Sequence, residues 1–353
     1  MPEPFAHVRL PSRIVLGPGA LDQVPEEVDL LGIGKVLLIA TSSVREAADL
    51  LQIALGDRFA GRIDGVKQHV PVERAEAARE KAREVGAAAI IAIGGGSAIG
   101  LAKAIALTSG LPIIAVPTTY AGSEMTPVWG QTSDRDKTTG TDLAVLPKTV
   151  VYDPLLSRKL PIATTAASVA NAIAHCVEAT WTNKADPITD ITAVEGVRAL
   201  KEGLTAAIKD PQDLDARSNL LYGASLAGSA LASAGTGIHH KLCHLLGGTY
   251  NLPHAETHAA VLPQVTRHKA TGRAKQDLEK TLGTDDLATG LFDLFDQAHV
   301  PTSLKALGLT EDQAQDAAKK FAAAHREEDP QVITDILLAA WAGTRPTNEG
   351  TAR

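Results

Sequence analysis

Short, fully apolar runs alternate with helical segments through the first 153 residues, and this pattern constrains the fold more than any other feature. The runs are 36–41 (VLLIAT), 87–93 (AAAIIAI), 113–117 (IIAVP) and 149–153 (TVVYD). Between them, a segment such as 71–86 has Pro71 near its start and Gly86 at its end, as helix termini prefer. Strands without polar alternation are buried on both faces, so we expect a parallel sheet covered by helices on both sides.

The strand signal ends near residue 158, and Ala- and Leu-rich segments with 3.6-residue periodicity follow. We therefore expect an α/β domain over residues 1–157 and an all-helical domain over residues 158–353. Between residues 127 and 148 the sequence is polar and rich in turn residues, which predicts a β-hairpin or a mobile flap.

Charge and composition exclude several classes of function. The net charge is -7 and only 3% of the residues are aromatic, which argues against nucleic-acid binding because that needs a positive surface. No apolar run is long enough to span a membrane, and residues 1–17 hold prolines and charges where a signal peptide has an apolar core. Cys176 and Cys243 form no CxxC pair, so we expect two reduced, buried thiols in a cytoplasmic protein.

A glycine-rich segment, 94–97 (GGGS), stands between an apolar strand and a helix. Glycines let a backbone approach an anion and the new helix offers free N–H groups, although a tight turn would use the same residues. The polar loop 117–124 also follows an apolar strand, and two such loops at strand ends describe a ligand crevice. The expected dinucleotide contacts are Gly94, Gly95, Gly96, Ser97, Thr118, Thr119, Tyr120 and Ser123, with simple packing as the alternative for Tyr120.

The strand 36–41 ends at Thr41, which is followed by Ser42, Ser43 and Arg45. NAD-selective sites usually carry an acidic residue here to bind the ribose hydroxyls. A site without that carboxylate does not repel a 2′-phosphate. We therefore include Thr41 among the cofactor contacts and expect the chain to use NADH or NADPH.

Five of the eleven histidines lie within residues 239–258. His240 and His244 are four residues apart, as are His254 and His258, and an earlier segment repeats the spacing with Asn171 and His175. On a helix this spacing puts both side chains on one face, and helical bundles place metal ligands in this way. In an apolar domain such a group needs a shared task, either metal binding or proton transfer. We expect that task for His175, His240, His244 and His254, and a supporting role for His239 and His258.

Four segments in this order, GGGSAIGLAK, VPTTYAGSEMT, NAIAHCVEA and GIHHKLCHLLGGTYNLPHAE, carry a resemblance to a known family. Together they resemble the iron-containing (group III) alcohol dehydrogenases, from near residue 8 to near residue 345. The resemblance implies a Rossmann-like N-terminal domain, an all-α C-terminal domain (the dehydroquinate synthase-like fold) and a cleft between them. It also implies NAD(P)-dependent hydride transfer and a homodimer.

That family holds a divalent metal with an Asp and a His four residues apart, the first His of an HxxxH pair and a His after a Pro. Those positions correspond here to Asn171, His175, His240 and His254, and the second His of the pair, His244, is implied to lie near the nicotinamide. Asn171 replaces the acid, and a neutral amide is a weaker ligand for a hard dication. We therefore expect a site that works without a metal; if Fe or Zn binds, the expected ligands are His175, His240 and His254 with Asn171.

Gly100 stands where the family has an Asp, and the loop PTTYAGSE contains an inserted tyrosine. These features resemble the maleylacetate reductase branch, which implies reduction of maleylacetate to 3-oxoadipate in bacterial degradation of aromatic compounds. Hydride addition to that conjugated C=C leaves an enolate, which hydrogen-bond donors or an imidazolium can hold without a metal. We expect His244 to donate or relay the proton, His240 or His175 to stabilise the enolate oxygen, and His254 to support them.

Three alternatives stay open. One is a metal-dependent alcohol dehydrogenase or aldehyde reductase of the same family. Another is a relative that acts on phosphate substrates or intermediates, of the glycerol dehydrogenase or dehydroquinate synthase kind. The third is a nucleotide-binding or metal-storage module without turnover, which would show no substrate-dependent loss of absorbance at 340 nm.

Overall fold

The computed structural model describes residues 4–67, 70–133 and 136–347. The strands are β1 (Arg13–Leu16), β2 (Val36–Ala40), β3 (Phe59–Ile63), β4 (Ala89–Gly94), β5 (Ile113–Pro117), β6 (Val128–Ser133), β7 (Asp136–Thr141) and β8 (Thr149–Tyr152). The helices are α1 (Val24–Leu30), α2 (Arg45–Leu55), α3 (Val72–Glu84), α4 (Gly96–Ser109), α5 (Pro154–Ser157), α6 (Ile162–Ala179), α7 (Pro187–Lys209), α8 (Leu214–Ala234), α9 (Ile238–Tyr250), α10 (His254–Lys269), α11 (Gly272–Leu282), α12 (Leu287–Gln297), α13 (Glu311–Ala324) and α14 (Pro330–Ala342).

A six-stranded parallel sheet in the order β1-β8-β5-β4-β2-β3 organises the first half of the chain. Alternate residues of β2 face opposite sides: Val36 and Leu38 pack in one core with α1 and α2. Leu37 and Ile39 pack in a second core with α3 and α4. The predicted parallel sheet with helices on both faces is therefore confirmed.

The outer strands β1 and β3 are not predicted by the apolar pattern. They lie at the two edges of the sheet, where side chains are only partly covered: every residue of β3 is half-buried, and Arg13, Ile14 and Leu16 of β1 are exposed. An edge strand tolerates glycine and charge, as in FAGRI, so it lacks the continuous apolar run that marks an inner strand.

The polar segment after β5 contains the predicted hairpin, because β6 and β7 pair antiparallel. Beyond β8 the described residues contain helices and loops only, as expected. Helices α6, α7 and α8 share one large apolar core, and a second core joins α9, α10, α13 and α14. This arrangement brings α6, α9 and α10 together beside the carboxyl edge of the sheet.

Two further expectations can be compared with the structure. Within the described ranges, no helix combines the length and the apolar character that crossing a membrane requires. Cys176 and Cys243 are both buried, free thiols, as predicted.

Candidate active site

The glycine segment lies where three loops meet at the carboxyl edge of the sheet. Gly94 ends β4 with φ 148°, and a Cβ there would lie 2.7 Å from Cγ2 of Thr41. A Cβ on Gly95 would lie 3.1 Å from Cγ2 of Thr119. Helix α4 begins at Gly96 without a side-chain cap, so its first N–H groups remain available. Open N–H groups at a helix start, reached through a glycine backbone, are suited to a dinucleotide's phosphates.

The other predicted cofactor contacts differ in how they are placed. The buried Thr118 donates its backbone N–H to the carbonyl of Gly94 at 3.1 Å, which holds the loop 117–124 (the second loop) against the glycine segment 94–97. Ser97 lies in the first turn of α4. The carbonyl of Ser123 accepts a hydrogen bond from Nζ of Lys103 at 2.7 Å. The backbone of the second loop is therefore fixed from α4.

Tyr120 packs into the core. Its side chain is fully buried, and its hydroxyl accepts a hydrogen bond from Nη1 of Arg217 at 3.0 Å. Its backbone N–H is bound by the hydroxyl of Ser168 at 3.0 Å. The side chain therefore does not line an open cofactor pocket, which corrects the first of the two roles considered for it. Both its hydroxyl and its backbone N–H therefore have hydrogen-bond partners in the helical half of the chain.

The second loop extends from the glycine segment to the histidines. Gly122 has φ 72°, and a Cβ there would lie 3.3 Å from Nδ1 of His175. Gly228 of α8 makes room for this turn, because a Cβ on it would lie 2.3 Å from the carbonyl oxygen of Gly122. Thus Thr119 contacts Gly95 at one end of the loop and Gly122 approaches His175 at the other.

Six imidazoles from α6, α9 and α10 form one histidine cluster: His175, His239, His240, His244, His254 and His258. The ring of His240 lies 5.0 Å from that of His175 and 4.7 Å from that of His258, measured between centroids. The ring of His254 lies 4.5 Å from His258 and 6.0 Å from His244. The structure therefore brings together all four histidines that were expected to share a task.

The cluster changes from buried to exposed along its length. His175, His239, His240 and His258 are buried, whereas His244 and His254 are exposed. Burial lowers the pKa of His175 and of His258 well below 6.5, and it lowers the pKa of His239 to about 3. These three inner rings are consequently neutral bases near pH 7.

Four buried polar atoms of this region have no hydrogen-bond partner in the described residues: Asn171 Oδ1, His175 Nδ1, His240 Nε2 and His258 Nε2. Buried polar atoms without partners are costly, so a set of them in one region makes it a candidate ligand site. Neutral imidazole nitrogens with an amide oxygen fit a divalent transition metal, although the set lacks a negative charge. The same nitrogens can equally well form hydrogen bonds with a substrate oxygen, either as acceptors from a hydroxyl or as donors to an oxyanion, and the amide oxygen can accept one from a hydroxyl.

The nitrogens of His239, His240 and His258 come within 4.8 Å of one another. Two of these rings already bind each other, since His239 Nε2 and His258 Nδ1 are 2.8 Å apart. This contact agrees with a supporting role for His239, which stays a prediction. The other nitrogen of His258, Nε2, is one of the four atoms without a hydrogen-bond partner in the described residues.

Glu178 is a functional candidate that sequence reasoning missed. It is fully buried and hydrogen-bonded to Nδ1 of His240. Burial alone would raise the pKa of Glu178, but the positive field and hydrogen bond of His240 outweigh it and lower the pKa to about 2. The available signal was its position three residues after His175, on the same face of α6.

Lys241 lies off the cluster, as its helical position predicts. Its side chain is 45% exposed and its Nζ is 3.9 Å from Glu327. No role in the cluster follows for it.

Comparisons with known proteins agree with this geometry. Residues 11–154 match the family model for iron-containing alcohol dehydrogenase, and residues 165–337 match the model for the C-terminal part of the Fe-containing alcohol dehydrogenase family. The chain is 43% identical to maleylacetate reductase 1 of Rhodococcus opacus, over 97% of this chain and 98% of that protein. It is 43% identical to maleylacetate reductase of Burkholderia cepacia, over 96% and 98%. The crystal structure of maleylacetate reductase from Agrobacterium tumefaciens superposes with a TM-score of 0.93 at 40% identity, covering 98% of this chain and 100% of that one.

Proposed function

The chain belongs to the iron-containing alcohol dehydrogenase family, and from this membership we propose that it reduces maleylacetate to 3-oxoadipate with NADH or NADPH. The relatives named above, which match over nearly their whole length, support this substrate. The reaction consumes one maleylacetate, one reduced nicotinamide and one proton, and its place is the bacterial degradation of aromatic compounds.

One observation carries the proposal. The loop 117–124 contacts the glycine segment at Thr119 and approaches His175 at Gly122. A dinucleotide whose phosphates lie at the start of α4 is therefore one loop away from a group of neutral imidazoles. Hydride transfer needs this proximity between a nicotinamide and a group that can complete the proton transfer.

When bound, NADH or NADPH supplies the hydride that adds to the carbon β to the ketone, which leaves an enolate on the substrate. The chain's own residues then have two tasks: to hold the enolate oxygen and to protonate the α carbon. His240 and His175, with unpartnered nitrogens inside the cluster, are suited to the oxygen. His244, which is exposed and contacts His240 and His254 through its ring, is suited to bring the proton from solvent.

A separate question is whether the reaction needs a divalent metal. Fe or Zn would be held by Asn171, His175 and His240, with His254 or His258 completing the set, and would supply Lewis-acid stabilisation of the substrate oxygen. The donor set holds no carboxylate, and an enolate needs less stabilisation than an alkoxide. We therefore propose that turnover does not depend on a metal.

An NADH-oxidation assay at 340 nm tests the function, with maleylacetate beside simple aldehydes and with or without EDTA. We expect maleylacetate to be reduced in both conditions. Activity on aldehydes alone would overturn the substrate, and loss of maleylacetate turnover after EDTA, restored by Fe or Zn, would overturn the metal-independent mechanism.

The second candidate is a metal-dependent alcohol dehydrogenase or aldehyde reductase. The unpartnered imidazole nitrogens favour it, because neutral histidines are ordinary ligands of Fe and Zn. Its signature is stoichiometric Fe or Zn in protein purified without chelator, together with reduction of simple aldehydes.

A further inference from the structure

Glu178 links two elements of the site at once. Its Oε1 accepts the backbone N–H of His239 at 2.6 Å and that of His240 at 3.4 Å. Its Oε2 is hydrogen-bonded to the ring atom Nδ1 of His240. The carboxylate thus holds both the first turn of α9 and the imidazole that this turn carries.

The N-cap of α9 explains why a carboxylate from α6 is needed here. The cap residue, Gly237, has no side chain to bind the first N–H groups of the helix. A Cβ at this position would lie only 3.0 Å from Oε1 of Glu178. Glycine therefore leaves room for Glu178 to act as the cap, and the free N–H groups and positive end of the helix favour an ionised carboxylate.

The charge of Glu178 decides which ring nitrogen of His240 holds the proton. An ionised carboxylate can only accept hydrogen bonds, so Nδ1 of His240 is the donor. The other nitrogen, Nε2, is buried and finds no hydrogen-bond partner in the part of the chain that the structure describes. The rings of His175 and His258 lie 5.0 and 4.7 Å from the ring of His240.

We propose that Glu178 is a positioning residue that keeps the ring proton of His240 on Nδ1 and thereby presents Nε2 to the reaction centre. The neutral ring then offers only a lone pair at Nε2. In the imidazolium form Nε2 donates as well, and this form, whose charge Glu178 balances, is the one that can hold an enolate oxygen. The use of Nε2 on the enolate oxygen rests on the proposed function; the tautomer itself does not.

Glu178→Gln tests the proposal with little change in shape. The amide oxygen can still cap His239 and His240, so the NH₂ group faces Nδ1 and makes that atom an acceptor. The proton of His240 then moves to Nε2. We expect kcat with maleylacetate to fall by at least about 10- to 100-fold, the usual effect of losing the outer partner of a functional histidine. We expect the KM for NADH and the folded far-UV spectrum to change little.

A second measurement reads the tautomer directly. In protein labelled with ¹⁵N-histidine, long-range ¹H–¹⁵N spectra distinguish a protonated ring nitrogen from one with a lone pair, and His240→Gln assigns the signal. We expect protonated Nδ1 in the wild type and protonated Nε2 in Glu178→Gln. If Glu178→Gln does not fold, the wild-type spectrum alone decides the proposal.

The matched control is Glu27→Gln. Glu27 is also buried and also binds two groups, Nε of Arg13 at 2.9 Å and the hydroxyl of Thr149 at 3.3 Å, but it lies on α1 and contacts β1 and β8. We expect its kcat to stay within about twofold of wild type. A folded Glu178→Gln with unchanged kcat, or a wild-type ring protonated on Nε2, would overturn the proposal. A wild type inactive on maleylacetate would overturn only the proposed function, because the spectrum would still report the tautomer.

Discussion

His244 and His254 are the exposed members of the histidine cluster, and their rings stack 6.0 Å apart at its outer end. Burial lowers the pKa of His175 and of His258, so these inner rings are neutral near pH 7. Each can still donate a hydrogen bond through its one N–H, but neither is an imidazolium that can give up a proton. A proton that reaches the substrate must therefore enter through the exposed end. The exposed histidines of the cluster are therefore the ones suited to supply the proton, and the inner histidines are suited to bind the substrate.

We expect His244→Ala to lower kcat by about 10²- to 10⁴-fold, the contribution of a positioned general acid. The Kd for NADH should stay near the wild-type value, because the glycine segment is untouched. Stopped-flow turnover and fluorescence titration with NADH measure the two quantities.

The control for His244→Ala is Lys241→Ala, which removes an exposed side chain from the same helix but from another face. It should keep the wild-type kcat. Unchanged turnover in His244→Ala would remove His244 from the mechanism.

At this scale the sequence identifies residues that repeat at helical spacing and misses contacts between helices. Spacing of four residues on α6, α9 and α10 was enough to group His175 with His240, His244 and His254. Glu178 was missed because its partners lie on α9, 61 and 62 residues along the chain. Tyr120 was assigned a cofactor contact because a loop position does not reveal which way a side chain turns, and Arg217 binds it from inside.

Helix α4 controls the loop that joins the two halves of the site. The fully buried Nζ of Lys103 donates to the carbonyls of Ser123, Thr126 and Val128 at 2.7 to 2.8 Å. One helix thus fixes both the glycine segment, at its first turn, and the end of the second loop. The motif GLAK holds this lysine, so its role is structural support of the cofactor loops.

Lys103→Met should lower the free energy of unfolding by about 3 kcal/mol, because the carbonyl of Thr126 and two partly buried carbonyls lose their donor. Urea unfolding followed by circular dichroism measures this change. Lys35→Met is the matched control: Lys35 makes one exposed hydrogen bond, to the carbonyl of Asp57, and its loss should change stability by less than about 0.5 kcal/mol. Equal stabilities of the two variants would contradict the structural support of the cofactor loops by Lys103.

Asp190, in the first turn of α7, makes the stability of the fold depend on pH. Burial, with Asp186 and Asp277 nearby, raises the pKa of Asp190 to about 6. A carboxyl group whose folded pKa exceeds its unfolded value binds protons better in the folded state, so it costs stability once the pH exceeds the unfolded pKa. That cost grows between about pH 4 and pH 6 and is complete above pH 6.

We expect Asp190→Asn to stabilise the fold by about 1 kcal/mol at pH 8, a value reduced for the solvent that reaches this half-buried group. The gain should shrink toward zero at pH 4. Urea unfolding of both proteins at the two pH values measures it; a gain independent of pH would mean that the charge of Asp190 is not its source.

Elements were predictable where burial is complete. The strands β2, β4, β5 and β8 carry continuous apolar runs because both of their faces are covered, and each was expected within a few residues of its observed bounds. Strands β1 and β3 were missed because an edge position leaves one side open and relaxes the choice of residues.

Among the described strands, β1 lies at the edge of the sheet, with β8 as its one neighbour. Two of its apolar side chains remain uncovered, Ile14 at 45% and Leu16 at 39% exposed. An open edge with apolar residues is suited to pair with another strand. Together with the homodimer that the family resemblance implies, this makes β1 our proposed contact between two copies of the chain.

We expect the wild type to be a dimer of the 36.8 kDa chain and Ile14→Asp to be a monomer, measured by size-exclusion chromatography with light scattering. Ile53→Asp is the control, since Ile53 is 77% exposed on α2, away from this edge, and should stay dimeric. A monomeric wild type would contradict the dimer, and a dimeric Ile14→Asp would place the contact elsewhere.

The division into a sheet half and a helical half was visible in the sequence because strand and helix periodicities change near residue 158. How the halves meet was not visible, since that depends on Gly122 and Gly228 approaching each other although they are far apart along the chain.

The close passage of loop 117–124 against α8 limits how such an enzyme can be recombined. A chimera could join this helical half to the nucleotide-binding half of another protein near residue 158. The loop that contacts His175 would then come from the other protein. A Cβ in place of Gly122 would lie 3.2 Å from the Gly228 backbone, and φ 72° disfavours any side chain there. Loop 117–124 should therefore be exchanged together with the helical half against which it packs.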